Sequence, residues 1–305
     1  MIKLSGSWVA LPTPFTKDDQ VDYQGFATLI ERQIKYGSSQ LFVLGSAGEV
    51  TLLTLEEKRR IVAEVAAICR DRIPVFFSAT APSTREAVDF ARCAEKAGAD
   101  GVVFTAPPYV LAPQPSVLAH LDACMGAVSI PCGIYNNPAR LGTRVEAESI
   151  RILAERHENF VVDKEATGDV SHLVQVQRLA GEKVKIMCCD APGYAILLPT
   201  LAIGGSGAAN ISGNIIPEET ALFSRPWTDI ETVKTGRAEY FKWFPLLELL
   251  YEYSNPIVIK AALDILGLPG GRLRAPYQEL GAEDKARLAV YLNESGVAAK
   301  YGGGN

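Results

Sequence analysis

Ala97-Gly98-Ala99-Asp100-Gly101-Val102-Val103-Phe104-Thr105 holds the fold in miniature. A helical pattern near 83–97 ends here, Ala97 to Asp100 make a turn, and the short run that follows is apolar almost throughout. A strand with one wet face alternates apolar and polar residues. A strand covered on both faces, as in a parallel sheet, does not need to. The same unit recurs towards the N-terminus, with β-like runs at 7–11, 41–44 and 74–78 and helical stretches near 22–36 and 55–70. It recurs towards the C-terminus as runs at 132–135, 160–164, 184–188 and 206–211, with helices near 115–127, 146–156, 169–180 and 192–203 between them. Eight strands alternating with helices over about 210 residues predict an α/β chain folded as a (β/α)8 TIM barrel. An open doubly wound sheet is the rival, but no G-x-G-x-x-G follows the first strand and no G-x-x-x-x-G-K-[ST] occurs. The same absence argues against a nicotinamide-type dehydrogenase.

The barrel core is expected to occupy residues 1–216. Beyond about 217 the strand signals stop, and 230–250, 256–266 and 282–295 read as helices. Residues 217–296 are therefore the last barrel helix and a C-terminal helical appendage. Residues 297–305, ending in Tyr301-Gly302-Gly303-Gly304-Asn305, read as a flexible tail.

The chain has 305 residues, 48% of them apolar, and a net charge of −5. That composition is globular and carries no basic footprint, so no nucleic-acid partner is expected. The opening Met1-Ile2-Lys3-Leu4-Ser5-Gly6 lacks the basic-then-apolar pattern of a signal peptide. No apolar stretch approaches the roughly 18 residues of a membrane span. Six cysteines are scattered without a disulfide or zinc spacing and read as reduced thiols in a cytoplasmic protein. His120, His157 and His172 lie far apart, read as solvated surface, and imply no metal.

In a barrel of this kind, chemistry belongs at the C-terminal strand ends. Lys164 ends the run Phe160-Val161-Val162-Asp163-Lys164. Burial disfavours an ammonium, and a neutral amine is the nucleophile that a Schiff-base enzyme needs. Taken alone, a strand-end lysine snorkels to water. Lys185 in a strand and Lys260 in an apolar helix also have apolar neighbours, so such neighbours alone do not single out Lys164. Its place at a strand end, beside loops rich in Tyr, Ser and Arg, does. After the second strand, Gly45-Ser46-Ala47-Gly48-Glu49 could turn backbone N–H groups towards an anion such as a carboxylate, or be an ordinary turn. After the fourth, Ala106-Pro107-Pro108-Tyr109 stiffens a loop that projects Tyr109, which alone would read as packing. After the fifth, Tyr135-Asn136-Asn137-Pro138-Ala139-Arg140 offers a tyrosine for proton transfer and an arginine for a carboxylate.

In order and spacing, these segments resemble the dihydrodipicolinate synthase / N-acetylneuraminate lyase family of class I aldolase-like enzymes. The resemblance runs from about Gly6 to Leu280. Gly6 to Phe15, Gly204-Gly205-Ser206-Gly207 and Asn255-Pro256 join the segments already quoted. It implies that Lys164 forms an imine with pyruvate or another 2-oxo acid, and that Tyr135 moves the proton. It implies that the Ser46 hydroxyl links two tyrosines in a relay, and that Tyr109 enters the site of a neighbouring subunit. Ser46, Ala47 and Gly48 cover the turn that holds the 2-oxo acid carboxylate. Arg140 matches the arginine for the second substrate's carboxylate, and Ala209 falls near the backbone facing the pyruvate site. No cofactor is implied, and a homotetramer built as a dimer of dimers is. The expected reaction joins pyruvate to an aldehyde, aspartate semialdehyde first. The same scaffold also serves catabolic aldolases, dehydratases or deaminases acting on sugar-derived 2-oxo acids or a hydroxypyrroline carboxylate. A non-catalytic 2-oxo-acid-binding protein is a remote third reading, opposed by Lys164, Tyr135, Ser46 and Tyr109 standing together.

The chain departs from the family at several points. Ser46-Ala47 stands where the synthases carry Thr-Thr, Pro108-Tyr109 where they carry Tyr-Tyr, and Leu141 where they carry Thr or Ser. Leu55, Lys58, Pro82 and Pro108 do not resemble a feedback site for lysine, although Glu86 is retained. Asp163 replaces an apolar residue. Strand alternation turns it away from the Lys164 side, where it should need a partner outside the barrel.

Overall fold

The expected alternation closes on itself. In the computed structural model, which describes residues 4–303, eight parallel strands run β1 to β8 in sequence order, and β8 pairs with β1. The strands are β1 (Gly6–Ala10), β2 (Gln40–Val43), β3 (Val75–Ser78), β4 (Gly101–Thr105), β5 (Cys132–Asn136), β6 (Phe160–Glu165), β7 (Lys185–Cys189) and β8 (Gly207–Asn210). Between them lie α1 (Tyr23–Lys35), α2 (Leu55–Cys69), α3 (Thr84–Lys96), α4 (Gln114–Met125), the short α5 (Pro138–Leu141), α6 (Ala147–Arg156), α7 (Val170–Ala180) and α8 (Leu197–Ala202). After β8 come α9 (Pro217–Phe223), α10 (Ile230–Tyr251), α11 (Ile257–Ile265), α12 (Ala282–Glu294) and α13 (Val297–Tyr301). No helix is long and apolar enough to cross a membrane among the described residues.

Local chemistry sets the helix starts. Asp22 and Ser83 cap α1 and α3 with their side-chain oxygens, and Thr54 with Glu57 forms a capping box on α2. Inside the barrel, Trp8 packs edge-on against Phe76 and tilted against Phe42, and its indole N–H donates to Leu41 O at 2.9 Å. A buried tryptophan needs that partner for its one donor. Closure depends on Gly207, where a Cβ would collide with the Gly6 backbone. Between β5 and β6 the register slips. Cys132 faces Phe160, Gly133 faces Val162, and Val161 is left as a bulge.

Strand ends fall within a residue or two of the sequence reading. Three larger differences have physical causes. The helix expected over 192–203 is interrupted: Pro192–Tyr194 form a 3-10 turn, Ala195 takes a positive φ of 53°, and only Leu197–Ala202 is α-helical. The tail is not free at its start. Val297–Tyr301 form α13, where Tyr301 stacks edge-on against Tyr36 and lies beneath the Arg32 guanidinium. Gly304 and Asn305 lie outside the described residues. The histidines are not solvated surface. His120 is buried and bonds Thr84 Oγ1, His172 is buried beside Asn136, and half-buried His157 bonds Asp122. Helix packing captured all three because an imidazole can satisfy one polar neighbour and still bury its ring.

Candidate active site

Lys164 and Tyr135 are neighbours across β5 and β6, and both point into the barrel at its C-terminal end. Lys164 is 4% exposed, with its Nζ 3.8 Å from the centre of the Tyr135 ring and 5.7 Å from that of Phe42. Among the described residues no carboxylate pairs with it. The other deeply buried lysine, Lys260, is different. It is 1% exposed, its Nζ lies 2.5 Å from Glu49 Oε1, and it donates to Arg272 O at 2.7 Å. Burial holds its ammonium below the usual lysine range, against the pull of Glu49. Lys260 is committed to an ion pair; Lys164 is not.

Two cavities meet at Tyr135 and Arg140, which line both. One, of about 190 Å³, is walled by Ser46, Thr51, Ser78, Thr80, Thr105 and Tyr277. The other, of about 240 Å³, is walled by Asn137, Cys189, Ala191, Tyr194, Tyr251 and Asn255. Lys164 lines neither; it is packed against the Tyr135 ring. The Arg140 side chain is exposed and has no ion-pair partner among the described residues.

The turn after β2 is built to leave donors free. Leu44 and Glu49 take positive φ values of 62° and 54°, and Gly45 is required because a Cβ there would lie 2.5 Å from the Phe42 ring. The Gly48 and Glu49 N–H groups donate to the carbonyls of Gly45 and Ser46. Those of Ser46 and Ala47 have no acceptor among the described residues, which makes a small anion-binding concavity.

The Ser46 hydroxyl shares the cavity with Tyr135 but makes no hydrogen bond to it. Instead Asn137 Nδ2 donates to Tyr135 Oη at 2.7 Å. Tyr109 is 96% exposed with a φ of 73° and lines neither cavity within one chain, although Pro108 before it lines the first. Ala209 lies at the end of β8 in register with Cys189 and lines neither cavity. Asp163 does not find the partner expected of it. It is 0% exposed on the outer face of β6, its oxygens have no hydrogen-bond partner, and the group beside it is the Glu165 carboxyl. Burial, and then the Glu165 charge, push its carboxyl well above the usual range. Glu165 itself accepts from Thr167 N at 2.7 Å and lies 3.4 Å from His172 Nε2.

Tyr194, Cys189, Tyr251 and Tyr277 went unread in the sequence. Tyr194 arrives on the interrupted segment after β7, and burial raises its phenol. Cys189 Sγ lies 3.4 Å from Tyr251 Oη, which donates to Asp190, and burial raises the thiol. Tyr277 is delivered by a strap whose Arg274 bonds Glu57, Asp19 and Leu52 O. Only the position of Cys189 at a strand end carried a signal.

Residues 3–295 match the Dihydrodipicolinate synthetase family. The chain belongs to it. Its members are class I aldolase-type enzymes. The chain is 31% identical over 299 residues to the 4-hydroxy-tetrahydrodipicolinate synthase of Methanococcus maripaludis, covering 96% of this chain and 99% of that one. It is 32% identical over 289 residues to the enzyme of the same name from Geobacter metallireducens, covering 95% and 98%. Among solved structures, dihydrodipicolinate synthase from Aquifex aeolicus superposes with a TM-score of 0.91 at 28% identity over 97% of this chain and 99% of that one. YagE from E. coli K12, a family member solved in complex with pyruvate, superposes at 0.88 and 28% over 95% and 98%.

Proposed function

We propose that this chain condenses pyruvate with an aldehyde bearing a carboxylate, aspartate semialdehyde foremost, through an imine on Lys164. The observation that carries the reading is the pairing of an uncommitted buried lysine with Tyr135, beside the free N–H groups of Ser46 and Ala47. The 2-oxo acid carboxylate sits on those two N–H groups. Lys164 Nζ adds to the ketone carbon, and Tyr135 gives its proton to the departing hydroxyl, which leaves as water. The iminium draws electrons from the neighbouring C–H bond, and the Tyr135 phenolate takes that proton. The enamine so formed attacks the aldehyde, whose carboxylate is held by Arg140. Dividing one difficult bond formation into these steps is the logic of covalent catalysis.

A second reading, a catabolic aldolase or dehydratase of hydroxylated 2-oxo acids, draws support from the hydroxyl wall of Thr51, Ser78, Thr80 and Thr105. Thr105 Oγ1 is buried there without a partner. The exposed run Tyr109-Val110-Leu111 supports assembly with a second copy of the chain, in which Tyr109 reaches the neighbour's site. A homotetramer and a cytoplasmic location belong to the same proposal.

Borohydride trapping with pyruvate, read by intact mass and peptide mapping, tests the chemistry. An adduct on Lys164 supports it, and an aldehyde panel beginning with aspartate semialdehyde then separates the two readings. A folded protein that traps no pyruvate overturns the synthase.

A further inference from the structure

The amide of Asn137 is tied at both ends. Its Oδ1 accepts the Arg140 backbone N–H at 3.2 Å, capping α5, while its Nδ2 donates to Tyr135 Oη at 2.7 Å. The cap decides which way the amide faces, because a flip would set NH2 against the Arg140 N–H, donor against donor. Pro138 at the first helical position fixes the backbone just beyond it. The side chain is 1% exposed, so water does not replace either bond.

This has consequences for Tyr135. A phenol oxygen that accepts from Asn137 keeps its own proton for another direction, and no protein acceptor for that proton is present among the described residues. When the proton leaves, the same N–H faces a phenolate, and a hydrogen bond to the charged form favours it. The carboxamide thus serves both halves of the proton cycle.

We propose that Asn137 is the positioning residue of the proton-transfer step, orienting the Tyr135 hydroxyl and stabilising its phenolate while locking it to the helix that carries Arg140. The proposal rests on the assignment of Tyr135 to proton transfer. In balance, Tyr135 protonates the hydroxyl that leaves the carbinolamine, and the phenolate then removes a C3 proton from the iminium. The electrons of that C–H bond become the enamine double bond, and the former C=N electrons return to nitrogen. Asn137 gives up no proton at any point.

Two variants separate the donor from the cap. Asn137→Ser keeps a capping hydroxyl but lacks the reach to Tyr135. Asn137→Asp keeps an oxygen for the Arg140 N–H and reverses the other bond, so that a carboxylate opposes the phenolate. Each is assayed with pyruvate alone, by borohydride trapping after long incubation and by exchange of the pyruvate methyl protons in D2O, followed by NMR. Both variants should trap pyruvate on Lys164 to the wild-type extent. Methyl exchange should slow by about 100-fold, the scale of a lost acid–base contribution, with the larger loss in Asn137→Asp. Exchange within threefold of wild type in Asn137→Ser, with its melting temperature unchanged, overturns the proposal. Should Asn137→Asp fail to fold, Asn137→Ser carries the test. Wild-type protein that traps no pyruvate overturns the function beneath the proposal, and the proposal with it.

Discussion

Tyr135 and Lys164 are register partners on adjacent parallel strands, and the lysine nitrogen stands 3.8 Å from the centre of the tyrosine ring. An imine built on that nitrogen forms beside a phenol that needs no hinge or lid to reach it. Tyr135→Phe should therefore still trap pyruvate on Lys164 while methyl-proton exchange falls by about 10²–10⁴-fold. Equal loss of trapping and exchange would give Tyr135 a packing role instead.

The two buried lysines should respond in opposite ways. Lys164→Ala should abolish trapping and turnover while the melting curve stays close to wild type, since no ion pair is broken. Lys260→Ala leaves the buried Glu49 carboxylate alone and should cost about 3–5 kcal/mol of stability. Residual turnover within tenfold of wild type in Lys164→Ala, together with a normal melting curve for Lys260→Ala, would reverse the two assignments.

Asp163 should make stability fall as pH rises. Its carboxyl is pushed up, so the folded chain keeps a proton that the unfolded chain releases near pH 4. The contribution of that proton is complete below about pH 4 and is lost as pH climbs towards the folded-state value. A carboxamide at this position has no such proton to lose. Asp163→Asn should match wild type near pH 4 and be the more stable of the two at pH 8. Chemical denaturation at the two pH values gives the comparison, and a variant less stable at pH 8 would refute the raised carboxyl.

Glu57 carries the opposite sign. Its hydrogen bond from Arg274 holds the carboxyl down to about 2. The stability it supplies is complete above the unfolded value of about 4.3 and is lost as pH falls through about 2. Glu57→Gln should cost about 1–3 kcal/mol at pH 7 and close to nothing at pH 2. The strap carrying Tyr277 should loosen with it, which a rise in KM for the aldehyde would register.

Free lysine at millimolar concentration should leave turnover unchanged. A cavity of about 360 Å³ lined by Leu55, Lys58, Pro82 and Glu86 adjoins the first cavity through Ser78 and Thr80. Lys58 places a cation where a second ammonium would have to enter, and burial already lowers it against the pull of Glu86. Clear inhibition would mean that the cavity accommodates the amino acid despite that charge.

The barrel was legible because period carries it: every strand is an unalternating apolar run between helical patterns, and the eight observed strands fall on those runs. Lys164 and Tyr135 at strand ends, and Ser46 and Arg140 in the loops that follow, were legible; the structure brings Tyr135, Ser46 and Arg140 to one cavity and packs Lys164 against the Tyr135 ring. Tyr194, Tyr251 and Tyr277 were not, because each arrives from a segment whose direction is set by tertiary contacts such as the Arg274 strap. In the sequence Asn137 is visible only as one residue of the Tyr135-to-Arg140 motif. Its two-ended amide depends on a cap and a cross-strand neighbour that spacing does not reveal. The histidines were misread for a related reason, since an isolated His gives no sign of whether a helix will cover it.

The bulge at Val161 sets the phase of everything after it on β6. Side chains on a strand alternate, so one residue more or fewer exchanges the two faces. Were Val161 drawn into the ladder opposite Gly133, with the strand still entering at Phe160, Asp163 would take the place beside Tyr135 and turn towards the barrel interior, and Lys164 would lie under the helices. The chain would keep every functional group and most of its core, yet present an acid where it now presents an amine. The chemistry of this mouth thus depends on one residue being held out of the ladder at the strand's opposite end, far from any residue that meets substrate.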